Sequence, residues 1–157
     1  MAEKINVTRD NYEVFYPVST RWMDNDVYGH VNNVTYYSYF DTAANTFLIN
    51  HCGLDMHNGD VIGFVVSSGC EYLAPIAFPD KLDVGVRVDR LGNSSVQYGI
   101  GIFKAGEDMI CAFGHFVHVF VDRATNRPTR IPDEMRKGLD KIWVNKPVTG
   151  DPDRTAH

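Results

Sequence analysis

The chain has 157 residues, of which 44% are hydrophobic, and its formal net charge is -5 at neutral pH. This length suits one domain, and the acidic balance argues against partners such as nucleic acid or an anionic membrane surface. No apolar run approaches the ~20 residues of a transmembrane helix, and the N-terminus lacks the apolar segment of a signal peptide. The cysteines, Cys52, Cys70 and Cys111, have no metal-binding spacing and are expected to be reduced thiols. We therefore predict a soluble, cytoplasmic protein.

The first part of the chain predicts one strand followed by one long helix. Residues 12–22 are rich in β-branched and aromatic side chains, and Pro17 indicates that this strand is irregular or lies at an edge. Behind a polar loop, apolar residues recur with helical spacing at Tyr36, Phe40, Ala43, Ala44, Phe47 and Leu48. Further aromatic residues off this stripe predict a helix largely enclosed by protein. We expect Asn32 or Asn33 to cap its start and Gly53 to follow its end.

From residue 61 onward the hydrophobic period changes to two, which predicts four strands. These are an apolar and small-residue run over 61–70 that continues to residue 73, alternating segments over 82–88 and 96–102, and a long apolar segment over 109–121. Short turns join the last three strands and predict an antiparallel meander. Pro132 opens a short C-terminal helix that extends through Ile142. We predict a single α+β domain over residues 1–146 and a polar tail over residues 147–157.

The polar loop between the first strand and the long helix holds the residues best suited to catalysis. It contains two carboxylates, Asp24 and Asp26, with His30 and Gly29 close behind them. An aspartate can serve as a nucleophile or as a general base for water. The unpaired N–H groups and the dipole of a helix start, here near Asn33, can stabilise an oxyanion. The alternative is a polar loop whose side chains only cap the helix, and the local pattern does not choose between the two.

Other catalytic and metal-binding signatures are missing from the sequence. It contains no GxSxG motif, no P-loop and no complete dinucleotide-binding fingerprint. His115 and His118 are three residues apart, which places them on opposite faces of a strand. Cys111 shares a face with His115, but no third ligand accompanies them. We therefore predict no metal site and assign these histidines to packing or hydrogen bonding.

Residues 26–33, Asp-Val-Tyr-Gly-His-Val-Asn-Asn, followed by Tyr36, resemble the Asp-x-x-Gly-His-Val-Asn-Asn-x-x-Tyr signature of hotdog-fold thioesterases. The similarity is to the branch related to 4-hydroxybenzoyl-CoA thioesterase. Weaker similarities follow in Tyr72-Leu73-Ala74-Pro75, in Asp80 and over residues 127–132, so the resemblance covers roughly residues 12–140. It implies a hotdog fold, in which a five-stranded antiparallel sheet wraps one long central helix, here with the short C-terminal helix added.

The resemblance also implies an activity and an assembly. Members hydrolyse acyl thioesters of coenzyme A or acyl carrier protein without a metal or organic cofactor. They form homodimers or homotetramers with active sites at the subunit interface. We therefore expect an acyl-CoA thioesterase. The alternatives are an acyl carrier protein thioesterase and a hotdog protein that binds acyl-CoA without hydrolysing it. A hotdog hydratase is disfavoured, because we find no hydratase-type Asp/His loop.

By position in the motif, the resemblance assigns Asp26 as the catalytic carboxylate and His30 as the motif histidine. Asn33 would supply the backbone N–H that polarises the thioester carbonyl. Asp24 has no counterpart and is interpreted as a loop or capping carboxylate. Asp41 occupies a helix position where relatives often carry glutamate, and it is assigned to the substrate-binding residues. The alternatives for its shorter side chain are to hold water or an amide, or only to support the loop.

Substrate contacts are predicted at several further residues. Gly29 allows the backbone to approach a ligand closely, and Tyr36 belongs to the aromatic helix face that can line an acyl pocket. Ser67 and Ser68 are small polar residues in an apolar strand, beside which we expect the pantetheine arm. Basic candidates for the phosphates of coenzyme A are Arg87, Arg90, Lys104, Arg123, Arg127 and Arg130. An exposed surface charge is the competing interpretation for each of these cations.

Overall fold

The computed structural model describes residues 7–55 and 58–146, so the predicted polar tail lies outside the described residues. Five strands form one antiparallel sheet in the order β1-β3-β4-β5-β2. The strands are β1 (Val14–Ser19), β2 (Val61–Tyr72), β3 (Lys81–Leu91), β4 (Ser95–Lys104) and β5 (Ile110–Asp122). The long helix is α1 (Thr35–His51), and the short C-terminal helix is α2 (Asp133–Asp140). The predicted α+β arrangement and the β3–β4–β5 meander are confirmed.

The first strand is shorter than the sequence predicts. β1 begins at Val14 and ends at Ser19, so the prediction of a strand over 12–22 is wrong at both ends. Tyr12 precedes the strand and packs with Phe103 in a second apolar cluster. Trp22 opens a single 3-10 turn that ends at Asp24. β1 pairs only with β3, which agrees with the edge position that Pro17 indicates.

Helix α1 fills the space between the sheet and the rest of the chain. Its buried residues are Tyr36, Tyr39, Phe40, Ala43, Ala44, Phe47 and Leu48, which include every member of the predicted stripe. Burial of each large apolar side chain contributes roughly 1.5–3 kcal/mol. Val34 is the N-cap of the helix and makes no side-chain capping bond, so the prediction that Asn32 or Asn33 caps α1 is wrong. Asn32 Oδ1 accepts a hydrogen bond from the Val34 N–H at 3.0 Å, within the turn that precedes the helix. Gly53 follows the helix with a φ of 71°, the left-handed conformation typical of a helix end.

Strand β2 forms the second edge of the sheet and pairs only with β5. Its register shifts between Val65 and Ser67, which indicates a bulge. Beside this bulge Phe64, Val65 and Val66 are exposed. The apolar run over 61–72 is therefore an uncovered edge in the single chain. Among the described residues, no helix is both long and apolar enough to cross a membrane.

Candidate active site

A tight turn shapes the loop that precedes α1. The Asp26 N–H donates to the His30 carbonyl at 2.9 Å, and the Gly29 N–H donates to the Asp26 carbonyl at 3.0 Å. Gly29 has a φ of 84°, a left-handed conformation that explains why glycine suits this position. One carboxylate oxygen of Asp26, Oδ1, accepts the Tyr28 N–H at 2.9 Å. The turn thus places Asp26 and His30 side by side in the backbone, with the Asp26 side chain half-buried.

Asp24, two residues before Asp26, has the opposite environment. Its side chain is buried and accepts hydrogen bonds from the Tyr39 hydroxyl at 2.7 Å and from the Arg21 backbone N–H at 2.9 Å. The Arg21 guanidinium adds two more at 3.1 and 3.0 Å. Burial opposes ionisation of Asp24, but the hydrogen bonds from Tyr39 and Arg21 outweigh it and lower the pKa of Asp24 below its ordinary value. Asp24 is therefore an internal anchor of the loop.

The backbone N–H groups around the start of α1 are satisfied with one exception in the described part of the chain. The Val31 N–H donates to the Ile76 carbonyl, and the Asn32 N–H donates to the Asp24 carbonyl. The N–H groups of residues 34–36 donate to oxygens of Asn32 and Asn33. In the described part of the chain, the Asn33 N–H has no hydrogen-bond acceptor. This donor lies at the positive end of the α1 dipole, where a developing negative charge is stabilised.

An open groove of about 430 Å³ adjoins this donor. It is lined by His30, Val31, Asn33, Tyr36, Tyr72, Leu73, Ala74 and Pro75. The Tyr72 hydroxyl donates to the Asn33 carbonyl at 3.0 Å, which links the end of β2 to the start of α1. The rings of Tyr36 and Tyr72 meet edge to face with 4.9 Å between centroids. One wall of the groove is therefore aromatic, and its polar groups come from the loop.

The structure thus brings His30, Asn33 and Tyr36 together in one groove. Asp26 and Gly29 belong to the adjoining turn and are not among the lining residues. The wall formed by residues 72–75 was not among the predicted site residues. The similarity of Tyr72-Leu73-Ala74-Pro75 to the family's sequence was the signal that could have identified this wall.

The other predicted substrate contacts lie outside this groove in the single chain. Asp41 is exposed on α1, where its Oδ1 accepts a hydrogen bond from the Asn45 amide at 3.0 Å. Partial desolvation raises the pKa of Asp41, and the bond from Asn45 opposes this rise. Ser67 and Ser68 are exposed on the free edge strand β2. None of these three residues lines the groove.

Arg87 and Arg90, the two principal candidates for phosphate binding, have different environments. The Arg87 guanidinium binds Asp89 at 2.8 Å and the Asn11 carbonyl at 3.1 Å, and it lies 5.2 Å from the ring centre of Tyr12. Arg87 is therefore already engaged by protein groups. Arg90 is exposed, and its side chain has no acceptor among residues 7–55 and 58–146. Neither residue lines the groove.

The two strand histidines have different environments. His118 is buried, its ring meets Tyr98 at 5.0 Å between centroids, and burial lowers the pKa of His118 from 6.5 to about 4. His115 is half-buried and lies over Gly69 of β2. Within the described ranges, no group of three or more histidine, cysteine, aspartate and glutamate side chains is placed to hold a metal ion.

The strand order, the enclosed helix and the loop at its start define a hotdog-fold protein, which confirms the fold that the motif implied. The sequence matches the model of the Thioesterase-like superfamily over residues 20–139. The chain belongs to this superfamily.

Solved structures of other proteins are similar to this chain. PA5185 of Pseudomonas aeruginosa PAO1 is 57% identical with a TM-score of 0.85, and the match covers 87% of this chain and 95% of PA5185. PA2801 of Pseudomonas aeruginosa is 31% identical with a TM-score of 0.74, over 80% of this chain and 96% of PA2801. Slr0204, a 1,4-dihydroxy-2-naphthoyl-CoA thioesterase from Synechocystis, is 18% identical with a TM-score of 0.73, over 85% of this chain and 98% of Slr0204. At 18% identity, the last comparison concerns the fold alone.

Proposed function

We propose that this protein is an acyl-CoA thioesterase, which hydrolyses an acyl-coenzyme A to the free acid and coenzyme A. The observation that carries the proposal is the unpartnered Asn33 N–H at the start of α1, which adjoins a groove lined by His30 and two tyrosines. A thioester carbonyl in this groove would accept that N–H as negative charge develops on its oxygen. Asp26, on the adjoining turn, would supply the carboxylate.

Two routes are compatible with this arrangement. In one, Asp26 removes a proton from water, which attacks the carbonyl carbon. In the other, Asp26 attacks directly and forms a mixed anhydride, which water then hydrolyses. In both, the carbon–sulfur bond breaks and coenzyme A leaves as a thiolate. His30 would contact the thioester from the groove wall, and no metal or organic cofactor takes part.

Coenzyme A is the proposed carrier because Slr0204, a protein of similar fold, is described as a 1,4-dihydroxy-2-naphthoyl-CoA thioesterase. The Tyr36 and Tyr72 rings would bound the acyl group. We assign the pantetheine arm to Ser67 and Ser68 and the phosphates to exposed cations such as Arg90. A second copy of the chain would pair along the free edge of β2 and complete the site, in a homodimer or homotetramer.

The proposal is tested by measuring thiol release over a panel of acyl-CoA and acyl carrier protein thioesters that vary in chain length and aromaticity. We expect turnover of acyl-CoA members that EDTA does not change. Asp26→Asn should lower kcat by about 10²–10⁴-fold, the usual contribution of a general base. Asp108→Asn, a change of a fully exposed aspartate in the β4–β5 turn, is the matched control and should retain the wild-type rate.

Each remaining outcome points to a different function. Near-normal turnover by Asp26→Asn would remove the catalytic assignment of Asp26. Tight binding of acyl-CoA without thiol release would indicate a non-catalytic binding protein, and turnover of carrier-protein thioesters alone would change the substrate. A single turnover in ¹⁸O-labelled water, with enzyme in excess, separates the two routes. Only direct attack can leave label in the Asp26 carboxylate.

A further inference from the structure

We propose that Asp24, Tyr39 and Arg21 form a positioning network that fixes the orientation of the Asn33 N–H. The proposal rests on the thioesterase function above, because it assigns these residues to the geometry of the same oxyanion donor. None of the three lines the groove, so each would act through the loop backbone.

The network joins three separate parts of the fold at one carboxylate. Tyr39 projects from the second turn of α1, and its hydroxyl donates to Asp24 Oδ2 at 2.7 Å. Arg21 lies at the end of the chain segment that leaves β1, and its guanidinium donates twice to Asp24 Oδ1. The Arg21 backbone N–H occupies Oδ2 as well, at 2.9 Å. Asp24, only 2% exposed, therefore has four donors directed at its two oxygens.

The backbone of Asp24 continues the network to the proposed oxyanion donor. Its carbonyl accepts the Asn32 N–H at 2.9 Å, which fixes the Val31–Asn32 peptide, one unit before the peptide that carries the Asn33 N–H. The Asn32 side chain accepts the Val34 N–H in the turn before α1, and the Asn32 carbonyl accepts the Thr35 N–H at 2.9 Å. The Asn32 carbonyl and the Asn33 N–H belong to one planar peptide group, so the bond from Thr35 fixes the orientation of the Asn33 N–H. A small rotation of Asp24 would move this donor relative to a bound carbonyl.

Stability alone does not explain this arrangement well. A buried carboxylate is costly to desolvate, and an apolar pair of similar size often stabilises a protein at least as well. The carboxylate instead fixes the relative positions of three segments, because the four hydrogen bonds that it accepts join α1, the segment that follows β1, and the loop. Catalysis depends on such preorganised donors, and errors of about 1 Å can cost 10²-fold in rate.

The test is Tyr39→Phe, which removes one donor to Asp24 and leaves the ring in place. We expect kcat for the best acyl-CoA substrate to fall about tenfold while KM stays within about twofold, because donor alignment changes and the groove does not. The Asn33 amide resonance in a ¹⁵N-labelled sample should shift as well.

Tyr98→Phe is the matched control. It removes an equally buried tyrosine hydroxyl that has no hydrogen-bond partner among the described residues, and Tyr98 lies outside the groove. Its kcat, KM and Asn33 resonance should match those of the wild type. Arg21→Gln, at a side chain that is 64% exposed, is a second variant that tests the network if Tyr39→Phe does not fold. It should lower kcat in the same way.

The outcomes separate this proposal from the proposed function. A wild-type protein that hydrolyses no thioester of the panel would refute the function. An active wild type with unchanged kcat in Tyr39→Phe, or in Arg21→Gln where only that variant folds, would refute the network and leave the function intact. An equal loss of kcat in Tyr98→Phe would also refute it, because the effect would then reflect general loosening of the core.

Discussion

A backbone donor such as the Asn33 N–H can be removed only by proline, which gives a sharp test at the scale of one residue. Proline is tolerated in the first turn of a helix, where N–H groups have no intrahelical acceptor. We expect Asn33→Pro to lower kcat by about 10²–10³-fold, the usual effect of losing one oxyanion donor. Steady-state thiol-release kinetics measure this change, with folding checked by circular dichroism.

Asn33→Ala is the control, because it removes the side chain but keeps the backbone N–H. The Asn33 side chain makes no hydrogen bond within the described part of the chain, so alanine should retain kcat within a few-fold. If alanine is as damaging as proline, the amide side chain carries the effect and the backbone assignment is wrong. If neither variant loses activity, Asn33 has no part in the reaction.

The two loop aspartates show which residue roles can be predicted from the sequence and which cannot. Composition treats Asp24 and Asp26 alike, and only the resemblance to a motif distinguishes them. The structure gives a physical reason for the difference, since Asp24 is enclosed by Tyr39 and Arg21 while Asp26 has one carboxylate oxygen in a local turn. The Tyr39 contact spans 15 residues of sequence, and no local pattern encodes it. Arg87 and Asp89, by contrast, are two residues apart on one face of β3, so the strand pattern already places them side by side.

At the scale of elements, hydrophobic periodicity located α1 and the strands β2 to β5, and short turns predicted the β3–β4–β5 meander. The pairing of β1 with β3 and of β2 with β5 came from the structure. Glycines within strands, here at residues 99, 101 and 114, indicate bending or a close backbone approach. Only Gly114 has a backbone in contact, because a Cβ there would collide with the Gly69 carbonyl of β2. At Gly101 a Cβ would instead lie 2.5 Å from the Tyr12 ring, and at Gly99 it would meet Arg87 and Asp89 side chains. The sequence therefore indicates where a Cβ atom would be crowded, but it does not show which atoms lie beside each glycine.

Strand β5 also carries a buried histidine whose titration should influence folding. Burial lowers the pKa of His118 from 6.5 to about 4, and its Nδ1 has no hydrogen-bond partner in the described structure. The unfolded chain therefore binds this proton at a higher pH than the folded chain does. The stabilisation is complete above pH 6.5 and is lost as the pH falls toward 4, a change of about 3 kcal/mol.

We expect His118→Leu to flatten the pH dependence of the free energy of unfolding across this interval. Urea denaturation at several pH values, compared with the wild type, measures the difference. Ile110→Val is a core change on the same strand, in the second apolar cluster, and it adds or removes no titrating group, so it should lower stability equally at each pH. A His118→Leu protein that kept the wild-type slope would show that other groups cause it.

At the scale of the whole molecule, the sequence predicted a helix enclosed by a sheet and indicated an edge position for β1, but not that β2 forms the other edge. The run over 61–72 is nearly continuous in apolar and small residues, a pattern typical of a strand covered on both faces. In the structure it forms the edge strand β2, with Val66 59% exposed. Periodicity reports which side chains avoid water and cannot report whether the same chain or another covers them. An exposed apolar edge of 12 residues is a ready site for pairing with a second copy.

This edge predicts that the active protein is an assembly paired through β2. Val65→Lys/Val66→Lys would place two charges at the β2 bulge, where edge pairing would bury them at high cost. We expect this double variant to elute as a monomer in size-exclusion chromatography with light scattering, while the wild type gives at least the dimer mass. Thioesterase turnover should fall with the dimer fraction, since Ser67 and Ser68 adjoin the same edge. Met109→Lys, at a 74% exposed residue just before β5, is the control and should keep both assembly and turnover. A wild-type monomer with full activity, or an undisturbed dimer in the double variant, would assign the apolar edge to another role.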